Sequence, residues 1–128
     1  MRLLLDTHAL LWWFADDRAL PASCRRAIAH PGNSIFVSAV SAWEIATKFR
    51  LGQLPSASDL VQDFDGFLAR DGFSLLQLSS DHGIRAGLLP GPLKDPFDRM
   101  LIAQALIENM LIVSNEVSFD RYGVNRVW

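Results

Sequence analysis

Six acidic residues stand where carboxylates can do chemistry: Asp6, Glu44, Asp95, Asp98, Glu116 and Asp120. Asp6 ends the apolar run Leu3-Leu4-Leu5. Glu44 lies within SAVSAWEIATK, and Asp95 and Asp98 sit three residues apart in KDPFDRMLIA, just ahead of a long apolar run. Glu116 and Asp120 follow LIVS. Donor sets made only of oxygen favour Mg2+ or Mn2+ over zinc. Such ions activate water and stabilise charge on a phosphoryl group, so a phosphodiester is the natural substrate. Each acid also has a plainer use. Asp95 can cap a helix whose first position is Pro96, with Asp98 favouring the dipole. Ser41 and Glu44 read as a capping box, and Asp6 can cap a helix opening at Thr7.

The elements that must position these acids alternate along the chain. Arg2–Leu5 reads as a buried strand, Thr7–Ala15 and Pro21–Ala29 as helices, and Ser34–Ser38 as a second strand. A helix is expected from Ala42 to about Leu51, stopped by Gly52, and another over Ser58–Arg70. Phe73–Leu78 is a third strand, and Ser79 or Ser80 caps a helix ending at Leu88. The breaker cluster PGPLKDP precedes a helix over Phe97–Asn109, then a strand at Leu111–Ser114 and a short fifth strand at Val124–Trp128. Strands alternating with helices imply an α/β fold with a parallel sheet covered on both faces, and the continuous apolar runs agree with that burial.

In such a sheet, ligands bind outside the carboxyl ends of the strands. A helix that follows a strand starts at that edge, so Asp6, Glu44 and Glu116 share it. Asp98 joins them if its helix runs antiparallel to the strands, the normal crossover arrangement. Two carboxylates about 4 Å apart repel by roughly 4 kcal/mol at an effective dielectric of 20. Gathering three or four therefore calls for a cation.

Composition sets the bounds. The chain has 128 residues, half of them hydrophobic, which supplies a core and argues against disorder. The formal net charge is -2, so phosphate neutralisation alone would not hold nucleic acid; a local basic patch or a bound metal is needed. The single cysteine, Cys24, excludes an internal disulfide and a zinc cluster. Asp6 and His8 interrupt the apolar N-terminus, and no run reaches the roughly 18 apolar residues of a membrane span. A cytoplasmic protein with no membrane partner is expected.

At LLLDTHALLWW, SAVSAWEIATK, DPFDRMLIAQAL and LIVSNEVSFDRYGV the chain resembles the PIN-domain family, in particular the VapC-type toxins of bacterial toxin–antitoxin pairs. The resemblance runs from Arg2 to Trp128. It implies one PIN domain over residues 1–128, a three-layer α/β/α sandwich with a central, mainly parallel sheet of four to five strands. It also implies a metal-dependent endoribonuclease, using Mg2+ or alternatively Mn2+, that forms a homodimer. A cognate antitoxin would inhibit it by covering the acidic pocket with its tail. Position by position, Asp6, Glu44 and Asp98 match the first three family acids, and Thr7 matches the small hydroxyl residue beside the first. Asp95 belongs to the DPFDR form of the motif, as a cap or supporting group. The fourth position departs: relatives commonly carry Asp after the fourth strand, and here the segment is SNE, so Glu116 is aligned there with Asp120 as the alternative. Ser114 stands where Thr is usual.

Beside these, Lys48, Arg50, Arg99 and Arg121 read as solvated face residues, with Arg99, which flanks Asp98, the candidate among them for a phosphate contact. His8 is the one histidine near enough to Asp6 to act as a base, but a packing or supporting role is its favoured reading. Trp12, Trp13 and Trp43 are expected in the core or at a dimer face, with base stacking as their functional alternative. A haloacid-dehalogenase-like phosphatase would need an acid where His8 stands. A receiver-like signalling domain would need an acidic pair near Asp6. The remaining alternative keeps the fold and loses the chemistry: a catalytically weakened PIN-fold protein that binds RNA or a partner.

Overall fold

The computed structural model describes residues 1–128. Five strands, β1 (Arg2–Leu5), β2 (Ser34–Ser38), β3 (Ser74–Leu76), β4 (Leu111–Val113) and β5 (Arg126–Val127), form one sheet in the order β3-β2-β1-β4-β5. Every pairing is parallel. β1 is central, and its three leucines are fully buried. Leu3 and Leu5 face one core with Ile35, Val37 and Val113, while Leu4 faces the other with Ile112, Leu101 and Ile102. This is the two-sided burial that a parallel sheet requires.

Helices α1 (Thr7–Phe14), α2 (Ala22–Ala29), α3 (Ala39–Arg50), α4 (Ser58–Gln62) and α5 (Phe64–Arg70) supply residues to the Leu3–Leu5 side. Helix α7 (Pro96–Ile107) covers the Leu4 side, with α6 (Ser80–Leu88) beside it. Five consecutive residues of α7, Leu101 to Ala105, are buried. That buried run is the stretch of α7 packed against the Leu4 face of the sheet and α6.

Two expected elements differ. The helix expected from Ala42 begins at Ala39, because Ser38 rather than Ser41 is the cap and accepts the Val40 N–H at 3.0 Å. Ser41 and Glu44 therefore form no capping box, and Glu44 lies in the second turn. The helix expected over Ser58–Arg70 is two helices, broken at Asp63 (φ -143°, ψ 56°), whose carboxylate accepts the Gly66 N–H and starts α5. Aspartate offers the backbone a local partner that competes with helix continuation. Ser79 caps α6 as expected, and the reciprocal partner in its box is His82.

A candidate metal centre at the carboxyl edge of the sheet

Register fixes the first acid. Leu5 pairs with Val37 on one side and Val113 on the other, so the next residues, Asp6, Ser38 and Ser114, stand level at the carboxyl edge. All three are buried. Asp6 caps α1 by accepting the Ala9 N–H at 2.7 Å, and its carboxylate is also hydrogen-bonded to Ser114. The Ser114 hydroxyl accepts the Glu116 N–H at 3.0 Å, which ties the first acid to the fourth. Thr7 and Ser41 share a hydrogen bond at 3.0 Å, locking the start of α1 to α3.

A cleft of about 100 Å3 opens at this edge, lined by Asp6, Thr7, His8, Glu44, Lys48, Asp95, Asp98 and Glu116, with no apolar residue among them. Four chain segments thus bring their acids to one place. Asp95 caps α7, its Oδ1 accepting the N–H groups of Phe97 at 2.9 Å and Asp98 at 3.3 Å. Asp98, in the first turn of α7, makes no side-chain hydrogen bond of its own and faces its acidic neighbours.

The electrostatics follow from this crowding. Burial, then the charges of Asp95, Glu44, Glu116 and Asp6, push the Asp98 carboxyl up to about 7. Burial also raises Asp6, against the opposing pull of the Ser114 hydroxyl, the Ala9 N–H and His8. One charge is already answered: Lys48 bonds Glu44 at 2.7 Å, one helical turn away. The side chains share the cleft without closing on one point, and no group of three is arranged to hold an ion as it stands. The donor chemistry nevertheless fits a hard divalent cation: the acids supply only oxygen, and burial together with the neighbouring carboxylates penalises the Asp98 charge while no cation is present.

Some expected residues lie elsewhere. Asp120 pairs with Arg126 at 3.0 Å, outside the cleft; Glu116 is the acid that lines it. Arg99, the candidate phosphate contact, is engaged within the fold. Its guanidinium donates to the carbonyls of Ala86, Leu89 and Leu93, capping the end of α6 and bracing the loop ahead of Asp95. Three of its five N–H donors are taken up by these carbonyls. His82 is buried and ties α6 to α7. Its Nδ1 accepts the Ser79 N–H at 3.0 Å, so Nε2 carries the proton and donates to Glu108 at 2.9 Å. Trp43, expected in the core or at a dimer face, lies outside the core: it is 58% exposed and meets Phe97 edge-on at 4.8 Å. Trp12 and Trp13 are half-buried against the core. Lys48 stands four residues after Glu44, an i,i+4 spacing readable in the sequence. Ser41 had no such signal.

A five-stranded parallel sheet with helices on both faces and an acidic cleft at its carboxyl edge defines a class of α/β proteins. The PIN-domain family model matches residues 3–125, and the chain belongs to that family. PIN domains are generally nucleases that use divalent metal ions. No curated protein sequence matches the chain significantly. Among solved structures, the chain is similar to VapBC2 from Rickettsia felis bound to a DNA fragment from their promoter (18% identity, TM-score 0.68, covering 99% of this chain and 98% of that one). It is also similar to DNA-bound VapBC from Salmonella typhimurium (18% identity, TM-score 0.71, 99% and 97%). FitAcB from Neisseria gonorrhoeae is a third (14% identity, TM-score 0.72, 98% and 96%). These likenesses establish the fold. No helix is long and apolar enough to cross a membrane.

Proposed function

We propose that this chain is a VapC-type toxin, a single PIN domain that hydrolyses RNA phosphodiester bonds as a divalent-metal-dependent endoribonuclease. The observation that carries this reading is the cleft into which Asp6, Glu44, Asp98 and Glu116 bring carboxylates from four segments, with no apolar residue in its lining. Mg2+ is the proposed cation and Mn2+ the alternative, with these four acids as its holders. When bound, it would supply positive charge to the phosphoryl oxygens and lower the pKa of water.

The chain's own groups do the rest. Ala9 and Ser114 orient the Asp6 carboxylate before any ligand arrives. Asp95 fixes the first turn of α7 and so the place of Asp98. Thr7 is the one hydroxyl residue of the cleft lining, and its hydroxyl is paired with Ser41. No Ser, Cys or Thr is poised as a nucleophile, which supports water as the attacking group. The likeness to VapBC and FitAB complexes supports a cognate antitoxin as protein partner. A cytoplasmic homodimer belongs to the same reading.

One observation favours the alternative, a PIN-fold protein that binds RNA or a partner without cutting. The Lys48 ammonium already sits on Glu44, where a cation would otherwise be needed. Incubating purified protein with defined RNAs, with Mg2+, with Mn2+ and with chelator, separates the two. Cleavage that needs the cation is expected. Cleavage at an undiminished rate in excess chelator would overturn the metal assignment, and no cleavage with either ion would favour the binding protein.

A further inference from the structure

Beside the acidic cleft lies a second cavity, a groove of about 540 Å3 with apolar walls that include Leu60 and Phe67. His8 lines both spaces. Its exposed imidazole stacks on the Trp12 indole, with ring centroids 5.5 Å apart and planes inclined by 27°. Trp12 in turn meets Trp128 at 5.8 Å. Two exposed carboxylates, Asp17 and Asp59, also line the groove.

We propose that this groove is a nucleobase subsite, in which an unpaired RNA base next to the scissile phosphate stacks on the His8–Trp12 platform. The proposal rests on the nuclease reading above and names its substrate more closely: single-stranded RNA with an amine-bearing base at that place. Aromatic faces hold unpaired bases by stacking, which a base inside a duplex cannot offer. Asp17 and Asp59 repel the phosphate backbone, so the groove takes the base and leaves the phosphate to the neighbouring cleft. Carboxylates accept hydrogen bonds from exocyclic amines such as the cytosine N4 group. Uracil would instead turn carbonyl oxygens, flanking its one N–H, toward the same carboxylates. The position of His8, two residues after Asp6 and shared by both spaces, joins base recognition to the site of cutting.

Free nucleosides test this without metal, phosphate or cleavage. The metal-free protein is titrated with adenosine, cytidine and uridine while the imidazole and indole proton resonances are followed by NMR. Adenosine and cytidine should give saturable ring-current shifts at His8 and Trp12, with no shift at His30 or His82, and uridine should bind several-fold more weakly. His8→Ala, a change at an exposed side chain, should weaken adenosine binding about fivefold or more. Trp12→Leu should remove the shift at His8. Failure of every nucleoside to move His8 would overturn the subsite and leave the groove to apolar side chains of a protein partner. Equal binding of uridine would overturn the preference for amines. Metal-dependent cleavage by a protein whose His8 does not respond would sink the subsite while the nuclease reading stands. A responsive His8 in a protein that cuts no RNA would support the subsite and sink the nuclease reading.

Discussion

Replacing Asp98 by asparagine should stabilise the metal-free protein at neutral and alkaline pH. Burial and the surrounding acids push the Asp98 carboxyl up to about 7, against about 4 in an unfolded chain. Between those values the folded state holds a proton that the unfolded state has released. The stability tied to this group is therefore fully present below about pH 4 and is lost as pH rises through about 7. At 1.36 kcal/mol per pH unit the loss would be roughly 4 kcal/mol without screening. Asp98 is only half-buried, and the water that reaches it reduces this to about 1–2 kcal/mol. Asparagine escapes that penalty. It also gives up a negative charge in the first turn of α7, worth about 0.5 kcal/mol in the other direction. The net gain at pH 8 is about 1 kcal/mol, a rise of roughly 3–6 °C in Tm for a chain of this size. At pH 4 the gain should vanish. Melting curves for both proteins in excess chelator at pH 4, 6 and 8 measure the difference directly. An Asp98→Asn protein less stable than the parent at pH 8, or a difference independent of pH, would refute the picture of crowded carboxylates. With Mg2+ restored, the same variant should cleave no RNA, because a cation missing one charged ligand is lost or misplaced.

Asp95→Ala separates capping from ligation: it should cost on the order of 1 kcal/mol of stability and leave partial cleavage. An inactive Asp95→Ala beside an active Asp98→Ala would reverse the two assignments. Arg99→Ala should cost about 2–3 kcal/mol by leaving three carbonyls without their charged donor, seen as a lowered denaturation midpoint. If it instead left stability unchanged and weakened RNA binding, the guanidinium would be a phosphate contact after all.

Much of the architecture follows from the chain alone. Leu3-Leu4-Leu5, a short apolar run that stops at Asp6, reads as a strand buried on both faces. The alternation of such runs with amphipathic stretches dictates a parallel sheet with crossover helices, and such a sheet has one carboxyl edge. Asp6 at the end of β1, Asp98 behind Asp95-Pro96, and Glu116 beyond β4 are bound to meet there, because crossover helices run back against the strands. Local chemistry was equally legible at Asp95, where Pro96 fixes the first position of α7 and the cap geometry follows. Only the tertiary structure decided the competitions between equivalent partners. Ser38 and Ser41 are both good caps, and the choice fell to Ser38 because Ser41 is turned onto Thr7, a contact between residues far apart in sequence. Asp63 breaks the α4–α5 stretch, its carboxylate accepting the Gly66 N–H in place of helix continuation. Glu116 was the aligned fourth acid and Asp120 its alternative; in the structure Glu116 lines the cleft, while Arg126 on β5 pairs with Asp120 outside it. Arg99 looked like a free cation beside an acid, and its three carbonyl partners come from the end of α6 and the loop that follows. Periodicity and spacing encode which face and which edge a residue occupies. Which long side chain reaches which partner depends on how separate elements pack, and that is settled by distances that exist only once the chain has folded.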